Sequence, residues 1–485
     1  MEMKELKSFT RSKIDDRRLS ILIFSLFFSW VLSFPFEGQV LYALAQLHGF
    51  DPHNIIFGSI TATFAGLLTG GFFVPTILAA KRAFLFSIAL CMLVSCMFFF
   101  KPSILWGVSL IFGSFLGGIC VAAWGYFFKR GTPPNERIKT AASGLIYSNL
   151  LMIGINMAAI HVSPYLGLVL CLLMLAGALS LSGWLPSVEK QWTMTPFRSE
   201  KEVKPISIVK PLAFLCLFIM IITINSGLMY QVINPAFEHH EWLASWYWAV
   251  PYIMALYIMK NLPRKTNRTY ILYVAIAMIG LAFLAFMSLD RSVVSYLIVD
   301  TLMLGACGVY DLFWWSILGE MLDWQKNAAT ILGMGLSANV LGVLVGGLIG
   351  SSISSGGMSD HEASVLALVI VCIILIILPV LHKYLSGILT DHVYLTVISE
   401  LLPEEQSKAI GGFMLTGKLT ERESEIAALL LSGKTYRMIA GELSLSENTV
   451  KTHIKNIYSK YNIQSRTELI RIMLDQQQFS KKEYK

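Results

Sequence analysis

The chain has 485 residues, 55% of them hydrophobic and 14% charged, with a mean hydropathy of +0.63 and a formal net charge of +7. That composition is too apolar for a string of water-soluble domains. The seven cysteines stand in apolar runs without paired spacing, which argues against a disulfide framework or a zinc site and for buried, inert thiols.

A helix needs about 20 apolar residues to cross the hydrocarbon of a bilayer. Behind a basic N-terminus of residues 1–18, twelve spans are predicted in chain order: Leu19–Leu47, Ile55–Ala80, Ala83–Phe100, Ile104–Phe128, Thr140–Val162, Tyr165–Leu185, Pro211–Ile233, Ala244–Met259, Thr269–Leu289, Ser292–Leu318, Ala328–Ser351 and Ala363–Leu385. The first is too long for a signal peptide and lacks a small-residue cleavage site, so it reads as an uncleaved anchor. With the N-terminus inside, 23 of the 25 Lys and Arg residues up to Lys383 fall on the inner side, and only Lys101 and Arg291 fall outside. Cationic loops stay cytoplasmic, so both termini are expected in the cytoplasm of a bacterial inner-membrane protein. Most of the +7 charge is then loop bias and needs no nucleic acid to explain it.

Gly66/Gly70, Gly113/Gly117, Gly342/Gly346 and Gly346/Gly350 recur at four-residue spacing, which suits close helix packing within the bundle. Gly333-Met-Gly335 mimics a dinucleotide fingerprint but has no strand before it. Six spans, a polar inner loop over Pro186–Lys210 and six more spans resemble the layout of the major facilitator transporters over residues 19–385. That resemblance implies two six-helix halves around a central cavity lined by the first, fourth, seventh and tenth helices. The inner loop after the second span reads Ala80-Lys81-Arg82-Ala83 and lacks the acid of the family's signature.

Acids at membrane depth face a cavity or a partner. Glu37, Asp300 and Asp311 qualify, the last two being three helical turns apart on nearly one face. With Trp124, Asn225 and Trp314 they form the candidate ligand site for a small molecule. Trp30, Tyr126, Tyr230, Gln231, Tyr310 and Trp315 are further wall candidates, whereas Trp246, Tyr247 and Trp248 read as interface anchors. Packing against neighbouring helices is the alternative for each of these residues, and proton coupling is a second role for the carboxylates.

Residues 386–417 form a junction. Within it Asp391–Leu402 has three turns' worth of helical pattern, Pro403 ends them and Gly411-Gly412 gives a flexible break. The junction is short enough to keep the C-terminal residues near the membrane.

Residues 418–485 change character and are predicted to form four helices. Thr420-x-x-Glu423 and Ser465-x-x-Glu468 are capping boxes that open the first and fourth. Gly433 ends the first, Thr435–Leu443 forms the second, and Ser446 N-caps a third running to Tyr461. Val450, Ile454, Ile457 and Tyr461 make one apolar stripe suited to pack on Ile426, Leu429, Ile439 and Leu443. The opposite side carries Asn448, Lys451, Thr452, Lys455 and Ser459 with no acid after Glu447, a donor-rich face suited to the major groove. Leu419, Thr420, Arg422, Glu423, Gly433, Ile439, Ala440, Leu443, Leu445, Ser446, Thr449, Val450, Lys451, His453, Ile454, Ile457, Tyr458, Lys460, Arg466 and Leu469 resemble the LuxR-type helix-turn-helix domain over about 55 residues. The resemblance implies base reading by Lys451, Thr452 and Lys455. It also implies phosphate contacts by Thr449 and its polar neighbours Ser446 and Asn448, and a dimer contact through a fourth helix near Arg466–Leu474. Glu423 and Arg466 are expected to be internal cap or ion-pair residues.

The whole layout resembles membrane-embedded LuxR-type regulators. An all-α, membrane-bound, one-component transcriptional regulator is expected, with a transmembrane sensor for a small molecule and a homodimeric tail on an inverted-repeat operator of double-stranded DNA. A working transporter with a regulatory DNA-binding tail is the alternative, and a tail that contacts only protein is a third. No nucleophile motif or metal spacing occurs, so no enzymatic activity and no cofactor are expected.

Overall fold

In the computed structural model the described residues are 15–36, 38–133, 136–188, 209–262, 268–322, 325, 327–355, 360–399, 419–431, 436–461, 463 and 469, and all regular structure among them is helical. The chain divides into two compact units, residues 1–192 with 203–384, and residues 193–202 with 385–485.

The first unit holds α1 (Asp16–Ser33), α2 (Gln39–Leu47), α3 (His53–Phe73), α4 (Ile77–Ser95), α5 (Ile104–Gly131), α6 (Arg137–His161) and α7 (Pro164–Ser182). It continues with α8 (Val209–Leu228), α9 (Ala249–Lys260), α10 (Arg268–Ser288), α11 (Val293–Met321), α12 (Ala328–Ser355) and the start of α13 (Asp360–Ser399). Ten helices among the described residues are long and apolar enough to cross a membrane. The other two predicted spans are shorter or broken.

The first span is two helices. Proline lacks an N–H and pushes the residue before it out of the α region; Phe34, before Pro35, sits at φ −126°, ψ −74° and ends α1. The freed Pro35 carbonyl accepts from the Ser59 hydroxyl. The eighth span shrinks to the 12 residues of α9, about 18 Å at 1.5 Å per residue. Pro75 likewise ends α3 early, and Thr76 caps α4 by accepting from the Ala79 N–H at 3.2 Å. Lys81 and Arg82 therefore lie in the first turns of a helix rather than in a loop. Lys81 Nζ donates to the carbonyls of Gly183 and Leu185, at 2.9 and 2.5 Å, just past α7.

The glycine spacing serves packing inside the unit. A Cβ on Gly66 would lie 2.0 Å from the Phe115 carbonyl oxygen of α5, and one on Gly346 would lie 2.1 Å from that of Ile224 on α8. Gly333 and Gly335 lie in the middle of α12. Phe73, Ile104 and Ile376 are exposed on the outside of the unit, a wall that suits lipid and not water.

The loops that the charge bias assigns to the inner side meet at one end of the unit. Arg17 pairs with Glu136, and Lys260 Nζ donates to Ser143 Oγ at 2.8 Å. Arg137 reaches the Gly319 carbonyl at 2.6 Å and Lys129 that of Gln325 at 3.0 Å, which links the helices of residues 16–182 to those that follow residue 208. Asn327 caps α12 by accepting from the Ala329 N–H (3.0 Å), takes the Tyr126 hydroxyl (3.1 Å) and donates to the Gly71 carbonyl (3.3 Å).

α13 extends unbroken to Ser399, so the helical turns expected from Asp391 continue the last apolar segment instead of starting afresh. Pro403 and Gly411-Gly412 lie outside the described residues.

The second unit contains α14 (Glu421–Leu431), α15 (Tyr436–Glu442) and α16 (Glu447–Tyr461). Ile426, Ala427, Leu430, Ile439, Ala440, Val450, Ile454, Ile457 and Leu469 form its core. Tyr461, expected in the stripe, and Leu429 and Leu443, expected to receive it, are half-buried at the edge of this core. Gly433, Thr435, Arg466 and the second capping box, Ser465 with Glu468, lie outside the described residues, as does all but Leu469 of the expected fourth helix.

Candidate nucleic-acid interface and membrane cavity

The tail is built around its caps. The Thr420 N–H donates to Glu423 Oε2 at 2.8 Å while Glu423 N–H donates back to Thr420 Oγ1 at 3.3 Å, a complete capping box at the start of α14. Lys460 Nζ donates to the same carboxylate oxygen at 2.5 Å and ties the end of α16 to the start of α14. Burial pushes the Glu423 carboxyl up, but the Lys460 ammonium and the Thr420 donors outweigh it and hold the group below the ordinary glutamate range. Glu423 is thus an internal cap and ion-pair residue.

Between α15 and α16 the chain turns through Ser444, whose φ of 55° is left-handed. The Leu445 N–H returns to the Ala440 carbonyl at 2.8 Å, closing the end of α15. Ser446 then accepts from the Thr449 N–H at 3.0 Å as the N-cap of α16. Val450, Ile454 and Ile457 are buried by this arrangement, and Asn448, Lys451, Thr452, Lys455 and Ser459 are exposed on the other side of the helix. Ser446 is exposed and Thr449 half-buried at its first turn. The six residues singled out for DNA contact therefore occupy the first two and a half turns of one helix and its cap. His453 is half-buried.

The first unit holds a partly open cavity of about 170 Å³ between helices of both halves. α1, α3, α5 and α6 contribute to one side, and α8, α9, α11 and α12 to the other. Two breaks shape it. The chain leaves α1 at Pro35, which brings Phe36 to the wall, and α8 ends in a wide π-turn over Met229–Ile233 that brings in Met229 and Tyr230. Pro235 follows that turn and cannot donate to the Gln231 carbonyl, a cause of the wider ladder.

Of the ligand-site candidates only Asp311 lines the cavity. The Tyr252 hydroxyl donates to its Oδ2 at 2.8 Å. Asp300 shares the helix face but lies eleven residues away, about 16 Å along the axis, buried with Oδ2 lacking a hydrogen bond. Asn225 and Trp314 are buried one residue, about 100° of rotation, from the wall residues Ser226 and Trp315. Trp124 is committed to packing: its ring lies 4.2 Å from Phe24 and 4.7 Å from Phe128, and its N–H donates to the Ser20 carbonyl at 3.3 Å. Glu37 lies outside the described residues. Tyr126 is used at the inner end by Asn327, while Trp30, Tyr230, Tyr310 and Trp315 do reach the wall.

Several wall residues escaped the sequence reading, two aromatic ones of the eighth span among them. Trp248, expected at the interface, and Tyr252 both line the cavity. Their i, i+4 spacing was the available signal, because it stacks two aromatic side chains on one helical face.

Residues 417–473 match the family model for bacterial regulatory proteins of the luxR family. Over 55 residues, 11% of this chain, the sequence is 46% identical to the HTH-type transcriptional regulator MalT of Vibrio campbellii and 42% identical to MalT of Serratia proteamaculans. The chain spans only 6% of the length of those relatives. By structure, it is similar to the human organic anion transporter MFSD10 at a TM-score of 0.58 and 13% identity, over 75% of this chain and 98% of that one. A bacterial homologue of the iron transporter ferroportin matches at 0.55 and 15% identity over 76% and 98%, and the Escherichia coli fucose:proton symporter FucP at 0.54 and 12% over 75% and 98%. At such identities the likeness is one of fold. The chain therefore joins a LuxR-type transcription-regulator domain at its C-terminus to a multi-pass, major-facilitator-like membrane half.

Proposed function

We propose that this protein is a membrane-bound one-component transcriptional regulator. A small molecule enters the cavity of the membrane half, and the tail reads promoter DNA through α16. Lys451, Thr452 and Lys455 contact bases, and Ser446, Asn448 and Thr449 hold the backbone. The observation that carries the reading is the presence, in one chain, of a luxR-family helix with an exposed cationic face and a helical bundle with a central cavity. The remainder is proposed with it: twelve crossings, with α1–α2 and α9 as the irregular ones, an inner-membrane location with both termini cytoplasmic, no enzymatic activity and no cofactor. Two tails would pair on an inverted repeat.

Ligand control requires the ligand to bind one arrangement of the two six-span halves more tightly than the other; tight binding alone shifts nothing. The test is a transcript comparison between cells carrying the wild-type chain and cells carrying a Lys451→Ala/Lys455→Ala chain, across a panel of small molecules. The reading expects a gene set that responds to one compound class only with the wild type. Identical transcript patterns in both would defeat it.

The likeness to transporters, together with a carboxylate in the cavity wall, favours one second reading, a transporter whose tail regulates genes. Accumulation of a labelled compound in proteoliposomes would support it; binding without accumulation would favour the sensor.

A further inference from the structure

The wall of the cavity has a one-sided chemistry. Among the described residues that line it, Asp311 is the only acidic side chain, and no Lys, Arg or His takes part. Its described hydrogen-bond partner is a neutral hydroxyl, that of Tyr252. The rings of Phe28, Trp30, Tyr230, Trp248, Tyr310 and Trp315 make up much of the remaining surface. Aromatic faces carry negative potential and attract cations. An anionic ligand would meet a carboxylate and these faces with no counter-charge to replace its lost water. A neutral ligand would gain nothing from an ionised Asp311, whereas a cation would supply the counter-charge that the wall lacks. Arg17, Lys129, Arg137 and Lys260 sit at the inner end of the unit, outside the wall.

Size narrows the class. An apolar protein cavity of about 150 Å³ accommodates benzene, so the roughly 170 Å³ here holds one ring with a short chain.

We propose that the cavity is a site for a compact organic monocation, an aryl- or alkylammonium ion, with Asp311 as its counter-charge and the six rings as its walls. This rests on the reading of the membrane half as a ligand-binding unit and names the ligand class.

The full-length chain in lipid nanodiscs tests it by equilibrium dialysis with three probes of one shape: 2-phenylethylammonium, 2-phenylethanol and phenylacetate. Saturable binding of the ammonium, about tenfold or more tighter than either analogue, is expected. Asp311→Asn, nearly isosteric, should bring the ammonium down to the level of the alcohol. Phenylacetate or the alcohol binding as tightly as the ammonium would overturn the proposal, as would no saturable ammonium binding or an unchanged affinity in a folded Asp311→Asn chain. If that variant does not fold, the three probes on the wild type decide alone. The two readings fail separately. Ammonium binding without any transcript response removes the sensor and keeps the site. A transcript response to anionic or neutral compounds alone removes the ligand class and keeps the sensor.

Discussion

Glu423 accepts from the Thr420 amide at the start of α14 and from Lys460 at the end of α16, so a single carboxylate ties the two helices together. Its pKa is depressed in the folded state, so its stabilisation is complete above the unfolded glutamate value and is lost as pH falls through the lower, folded one. Protection of the tail amides from exchange, taken against the intrinsic rate at each pH, should therefore stay constant near neutral pH and fall in that acidic window. Glu423→Gln should show the lower protection already at neutral pH, with a loss of about 1–2 kcal/mol. On the exposed face of α16, replacing Lys451 and Lys455 by alanine removes two candidate cationic contacts. As base contacts, their loss should relax operator preference at about 1–3 kcal/mol each and leave the slope of log affinity against log salt little changed. A fall in that slope of about 0.9 per lysine would place them on phosphates instead. At this scale Asp311 was readable because an acid in an apolar run needs a reason. Trp248 and Tyr252 were harder to read, because a helix that is apolar all round has no polar side to show which face turns inward.

Proline and cap residues set the lengths of the elements. Pro35 and Pro75 both stand inside apolar runs, and counting hydrophobic residues alone merged across them, which is why Leu19–Leu47 and Ile55–Ala80 were drawn too long. The caps at Thr420 and Ser446 were legible, because each needs only a short-range pattern of side chain and amide. Ser444 was not, since nothing in Leu-Ser-Leu-Ser announces a left-handed residue. A non-glycine residue in that region costs on the order of 1 kcal/mol. Ser444→Gly should thus raise the stability of the tail by up to about 1 kcal/mol, read as slower exchange of the α15 and α16 amides. Destabilisation would mean that the Ser444 side chain contributes more than its backbone costs. At the start of α12, Asn327→Ala removes a helix cap and the links to Tyr126 and Gly71. A loss of about 1–2 kcal/mol is expected, seen as a lower melting temperature in detergent. No change in melting would mean that the inner-end contacts do not hold the two halves together.

Over the whole molecule, the membrane half was recognisable from hydropathy and loop charge, which are long-range regularities that survive errors in any one span. The central cavity was expected from the layout with the first, fourth, seventh and tenth spans as its lining, and they do line it, but four further helices join them, because no local pattern records which faces meet. The tail was legible in the pattern of its third helix, since its exposed and core-facing residues separate cleanly around it. On the proposed function, the membrane-embedded chain itself selects DNA. The direct test is capture of sheared genomic DNA by the full-length protein in nanodiscs, followed by sequencing of the retained fragments. The account predicts enrichment of a few fragments sharing an inverted repeat, lost in the Lys451→Ala/Lys455→Ala chain. Retained fragments in the same proportions as the input would contradict it.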